Sequence, residues 1–193
     1  MKTATHWETR YKERNTGWDI GYASTPIVNY FEQVQQKNLK ILIPGCGNAH
    51  EAAHLFKKGF TNIYLLDIAN TPLLAFSERN PDFPKAHLIN ENFFEHKGKY
   101  DLIVEQTFFC ALLPEHRASY AKKMHELLQP QGKLIGLLFN IPLYEEHPPF
   151  GGNQLEYITY FEPYFEFKTF ETAYNSIAPR ERNELFINFK KKN

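Results

Sequence analysis

Gly45 and Gly47 follow the apolar run from Lys40 to Ile43, and Asp67 closes a second such run. Glycine at a strand-to-helix turn permits positive φ and lets backbone N–H groups approach a ligand with no Cβ in the way. An acid at the end of the next strand accepts hydrogen bonds from ribose hydroxyls. A dinucleotide fingerprint would need a third glycine where His50 stands, so pyrophosphate binding is disfavoured. A ribose-bearing ligand of another kind is expected.

Two other groups of residues could do chemistry. His50-Glu51-Ala52-Ala53-His54 places two histidines one helical turn apart, the spacing of a zinc peptidase helix. No third ligand follows at the spacing such enzymes use, and the pattern starts on the glycine turn itself. No metal is expected. Trp7, Tyr11 and Trp18 crowd one short polar stretch, where they could either cover a ligand or pin the segment to a core. Neither a Ser/His/Asp set nor a carboxylate pair is visible. Glu105, Tyr144 and His147 are the nearest titratable candidates, and none is assigned as a base. Cys110 reads as a packed thiol.

The elements that must position these residues come from periodicity. After a lead up to residue 24, a helix is expected from Pro26 to Gln36. Strands are expected over 40–43, 62–66, 86–89, 100–105 and 133–139. Helices over 50–58, 72–79 (capped by Thr71) and 117–128 (closed by Pro130 and Gly132) separate them. A Pro-rich loop, 140–153, precedes a helix over 155–161 and two last strands over 166–173 and 184–190. Alternating β and α elements with apolar strands make an α/β fold with a mainly parallel seven-stranded sheet, covered on both faces. Ligands bind beyond the carboxyl ends of such strands. Phe139 ends the fifth strand, in reach of that crevice.

A chain of 193 residues, 42% hydrophobic and 23% charged, suits a single domain spanning 1–193. Lysine plus arginine equals aspartate plus glutamate at 22 each, so the basic excess of a nucleic-acid binder is missing. Lys190, Lys191 and Lys192 read as a solvated tail. No long apolar run suggests a membrane span, and two cysteines without a signal segment suggest a cytoplasmic protein. A monomer is expected.

Five stretches in order resemble the thiopurine S-methyltransferase-like family. They are Trp7-Glu8-Thr9-Arg10-Tyr11, Asn15-Thr16-Gly17-Trp18-Asp19, Pro44-Gly45-Cys46-Gly47, Leu65-Leu66-Asp67, and the run from Tyr100 to Ala111. Thr107-Phe108-Phe109-Cys110-Ala111 and the Trp18-Asp19 pair are most similar to its thiol and halide methyltransferase branch. The resemblance implies a Rossmann-like class I methyltransferase that uses S-adenosylmethionine on a small soft acceptor. It implies that Trp7, Tyr11 and Trp18 cover cofactor and acceptor, that Gly45 gives a backbone contact, and that Asp67 holds the ribose. Asn92 and Phe93 match the pair beside the adenine, although the family usually has Asp at Asn92. Gln106 matches a residue near the methionine moiety that is Arg or Tyr in relatives, and Tyr11 stands where Trp is favoured. Trp18 and Phe139 would line the acceptor pocket.

A sulfonium cation gives the aromatic lead a physical reason, since each ring face stabilises such a cation by about 0.5 to 2 kcal/mol. A thiolate or halide acceptor also explains the missing base, because it can arrive already anionic. Alternatives remain at this stage. They are an oxygen or nitrogen acceptor, a cofactor-binding protein degenerate at Asn92 and Gln106, and the zinc hydrolase.

Overall fold

Residues that alternate between two cores make the central strands of the computed structural model, which describes residues 3–193. In β1 (Ile41–Pro44), Ile41 and Ile43 face one core and Leu42 the other. In β4 (Tyr100–Gln106), Leu102 and Val104 face the first and Ile103 the second. That period of two is what a strand covered on both faces requires.

Helices α2 (Thr25–Glu32), α3 (His50–Lys57) and α4 (Asn70–Arg79) close one face with Ile27, Phe31, Leu55, Leu73 and Phe76. Helices α5 (Arg117–Leu127) and α6 (Gln154–Phe161) close the other with Tyr120, Met124, Tyr157 and Phe161. The remaining strands are β2 (Ile63–Asp67), β3 (Leu88–Asn90), β5 (Leu128–Phe139), β6 (Phe165–Thr172) and β7 (Glu184–Lys191). Their order is β3-β2-β1-β4-β5-β7-β6 in one seven-stranded sheet. Strands β1 to β5 are mutually parallel, and β7 runs antiparallel to both β5 and β6. The winding reverses between β1 and β4, which opens a crevice at their carboxyl ends.

Several local expectations need correction. The polar lead holds a helix, α1 (Ala4–Lys12), capped by Thr3, whose side chain accepts from His6 N–H at 3.2 Å. None of its residues is buried, so it leaves no apolar stripe in the sequence. Helix α4 starts at Asn70, ahead of Thr71, and its N-cap position is Ala69. Helix α2 stops at Glu32, and a single 3₁₀ turn at 85–87 delays β3 to Leu88. Pro130 and Gly132 lie inside β5, which starts directly after α5, opposite a register shift between Tyr100 and Leu102. Lys190 and Lys191 end β7 and are not a free tail. Among the described residues, no helix is long and apolar enough to cross a membrane.

Candidate active site

Two turns at the carboxyl edge of the sheet, after β1 and after β4, carry unusual backbone. Gly45 and Gly47 have φ of 58° and 51°, Ala49 has φ of 53°, and Thr107 has φ of 57°. Such values in non-glycine residues, one of them β-branched, are rare and cluster at functional sites. A Cβ on Gly45 would lie 2.2 Å from Cδ2 of Phe108, and one on Gly47 would lie 2.8 Å from the Tyr11 hydroxyl. Both glycines therefore let an aromatic side chain close on the turn.

The Thr107 turn is held from below by Glu105. Its carboxylate is fully buried and accepts from Phe108 N–H at 2.8 Å, from Phe109 N–H at 2.9 Å, and from the Tyr120 hydroxyl. Burial pushes this carboxyl up to about 7, against those hydrogen bonds. Glu105 shapes the site and does not face the main cavity.

That cavity measures about 580 Å³ and spans the switch point. On the β1–β3 side it is lined by Gly45, Leu66, Asp67, Glu91 and Phe93. Thr107, Phe108 and Cys110 come from the end of β4. On the β5–β7 side stand Phe139, Ile141, Leu143, Tyr144, His147 and Arg180. Trp7, Arg10, Tyr11 and Trp18 line it from the N-terminal lead.

Asp67 is only 6% exposed. Its Oδ2 accepts from Gly47 N–H and its Oδ1 from Ala69 N–H, both at 2.9 Å. Burial pushes its carboxyl up to about 6, and these two N–H groups limit the rise. The aromatic lead is a connected unit. Trp7 and Tyr11 stand edge-on to Trp18 at 5.6 and 5.8 Å between ring centres, and the Arg10 guanidinium lies 4.7 Å from that indole. Arg180 donates to the Trp18 carbonyl at 2.7 Å, and its guanidinium lies 5.6 Å from the Phe139 ring.

Gln106 and Gly47 face a smaller recess that shares Trp18, Gly45 and Thr107 with the cavity. Gln106 Oε1 is buried without a hydrogen-bond partner among the described residues. Such an orphaned acceptor beside a glycine turn and a buried carboxylate suits a ligand that brings its own donors. These residues fit S-adenosylmethionine, whose amino and ribose hydroxyl groups are donors. Asn92 lines neither space. Its side chain accepts from Phe94 N–H at 3.0 Å and donates to Glu95 at 3.3 Å, closing its own turn. The neighbouring Glu91 lines the cavity instead, and sequence reasoning missed it along with Arg180.

On α3, His50 and Glu51 are engaged elsewhere. His50 Nε2 lies 2.8 Å from Asp19 Oδ1, and buried Glu51 accepts from Ser24 N–H at 2.9 Å. No group of three or more His, Cys, Asp or Glu side chains among the described residues is placed to hold a metal ion.

A sheet of this order, with a glycine turn after β1 and a carboxylate after β2, defines a class I methyltransferase fold. Two solved structures share it. A Burkholderia thailandensis 1,6-didemethyltoxoflavin-N1-methyltransferase superposes with a TM-score of 0.79 at 14% identity, covering 98% of this chain and 87% of that one. The magnesium protoporphyrin IX methyltransferase of Synechocystis gives 0.76 at 12% identity, covering 100% and 98%. The thiopurine S-methyltransferase (TPMT) family model matches residues 2–191. Among curated proteins, a probable thiol methyltransferase 2 of Arabidopsis thaliana is 31% identical over 96% of this chain and 84% of its own length. A thiocyanate methyltransferase 1 of Brassica oleracea is 31% identical over 97% and 85%. The chain belongs to the thiopurine S-methyltransferase family and is an enzyme that transfers methyl groups from S-adenosylmethionine.

Proposed function

We propose that the acceptor is a small soft nucleophile: a thiol, a halide or a related anion, or a heteroaromatic thiol of the thiopurine kind. The observation that carries this is the β5–β7 side of the cavity. It is walled by Phe139, Ile141, Leu143 and proline rings, with the Arg180 cation among them. The carboxylates that line the cavity, Asp67 and Glu91, lie on the opposite side. Glu184 is turned onto Ser176 and Arg180. Burial pushes the Cys110 thiol up to about 12, so it is neutral and no nucleophile near pH 7. An apolar wall that carries the Arg180 guanidinium, in a cavity that Arg10 also lines, favours an anion that sheds water readily. The relatives named for thiols and thiocyanate are consistent with this.

The remaining roles follow on the same reading. When bound, S-adenosylmethionine supplies an activated methyl group on a sulfonium, open to in-line displacement. Asp67 holds the ribose hydroxyls, Gly45 and Gly47 leave room at the turn, and Gln106 Oε1 accepts from the amino group. Phe93 and Glu91 flank the adenine. Trp7, Tyr11 and Trp18 form a lid, within residues 1–24, that faces the sulfonium and keeps water out. Unpaired Cys46 and Cys110 support a reducing, cytoplasmic setting, and the enzyme acts as a monomer on a small molecule.

His147 is the observation that favours a second reading. Its ring lies tilted against that of Tyr144, 4.2 Å between centres, on the acceptor side, within reach of a proton on an alcohol or amine. The pH dependence separates the two. With iodide, methyl transfer should stay nearly flat from pH 6.5 to 8.5, above the value of about 6 to which burial lifts the Asp67 carboxyl. With an alkanethiol it should climb about tenfold per pH unit below the thiol's own pKa, because the thiolate attacks. Turnover confined to alcohols or amines would overturn the soft acceptor.

A further inference from the structure

Helix α4 breaks a local rule next to the ribose acid. Its N-cap position is Ala69, which has no side chain able to accept from the first amides. The acceptor comes from 62 residues away. Glu8 Oε1 accepts from Asn70 N–H and, at 3.2 Å, from Thr71 N–H, and Glu8 Oε2 accepts from the Thr71 hydroxyl. The preceding amide, Ala69 N–H, goes to Asp67. Three successive amides are thus divided between the ribose acid and a carboxylate on α1.

Glu8 sits between Trp7 and Tyr11 on α1, and both aromatics line the cavity. It follows Trp7 directly, and Tyr11 lies one helical turn beyond it, at a spacing that shares a face. We propose that Glu8 is a positioning residue, a latch that fixes the aromatic lid by capping α4 from a distant part of the chain. This rests on the reading of residues 1–24 as a lid. Opening the lid strips the cap from the helix that begins beside Asp67. Cofactor site and lid therefore order together, and the latch slows the escape of cofactor or product. The same carboxylate also helps to raise the proton affinity of Asp67, after the larger effect of burial.

The chain has two tryptophans, Trp7 and Trp18, and both belong to the lid. Intrinsic fluorescence therefore reports lid position without added probes. Glu8→Ala should make the free protein's tryptophans more open to acrylamide quenching. It should also speed S-adenosylhomocysteine release about tenfold in stopped-flow fluorescence, the scale of a lost helix cap. Glu8→Gln keeps an acceptor oxygen and should fall between Glu8→Ala and the parent. Thr71→Val removes the hydroxyl bond alone and should shift both readouts the same way by less. In the Glu8→Ala background, Thr71→Val should add nothing, because its partner is gone. Unchanged quenching in Glu8→Ala overturns the latch and leaves the lid reading standing. Increased quenching with unchanged release keeps Glu8 as the residue that fixes the lid but overturns its hold on cofactor escape.

Discussion

Deleting residues 1–22 is expected to leave a folded protein whose methyl transfer falls below detection. Both hydrophobic cores begin at or after Ile27, and α1 buries none of its residues. The deletion removes no core side chain. It does remove Trp7, Arg10, Tyr11 and Trp18, a whole wall of the cavity. The Glu8 cap on α4 and the Asp19 bonds to His50 and Asn48 go with them. A lost cap costs about 1 kcal/mol. In a chain of this size each such loss lowers Tm by about 2–4 °C, which thermal melting would resolve. The loss of rate should be far larger. With that wall gone, water reaches the reacting centre and the acceptor loses alignment, and misplacement by about 1 Å alone can cost 10²-fold. Full activity in the truncated protein would refute the lid, and failure to fold would refute the placement of the core.

Asp67→Ala is expected to weaken S-adenosylmethionine binding by about 1 to 3 kcal/mol in calorimetry, the scale of hydrogen bonds to a charged group. The cost arises twice. On the proposed assignment the ribose hydroxyls lose their acceptor, and the Gly47 and Ala69 N–H groups that Asp67 orders lose theirs. The pH dependence of the parent supplies an independent check. Because burial lifts the Asp67 carboxyl to about 6, the charged acceptor is present above that pH and disappears below it. Cofactor affinity should therefore decline as pH falls through about 6, where a carboxylate at its ordinary 3.8 would keep it level. Asp67→Asn cannot titrate, so that part of the decline should vanish. Undiminished binding in Asp67→Ala would remove Asp67 from the site.

Much of this was legible because strand periodicity and turn chemistry are local. The runs ending at Ile43 and Leu66 place Gly45 and Asp67 at one sheet edge, and that is where they lie. What escaped was set by distance or by side-chain direction. Helix α1 carries no buried face, so nothing in its pattern separates it from a polar loop. Thr71 read as a cap because an oxygen-bearing side chain before Pro72 is the local signal. The cap that exists comes from Glu8, and no window around α4 contains it. Asn92 and Glu91 are neighbours, and the pattern cannot say which one turns toward the cavity. Asn92 satisfies its own backbone turn, which leaves that direction to Glu91. Arg180 lies in a polar connection far from any motif, and only the folded chain brings it onto the Trp18 carbonyl.

The most direct measurement is transfer of a labelled methyl group from S-adenosylmethionine, offered in parallel to an alkanethiol, iodide, an alcohol and an amine. Label should appear in the methyl thioether and in methyl iodide, with one S-adenosylhomocysteine formed per product, while the alcohol and amine stay unlabelled. Label confined to O-methyl or N-methyl products, or cofactor bound without transfer to any of the four, would contradict the account.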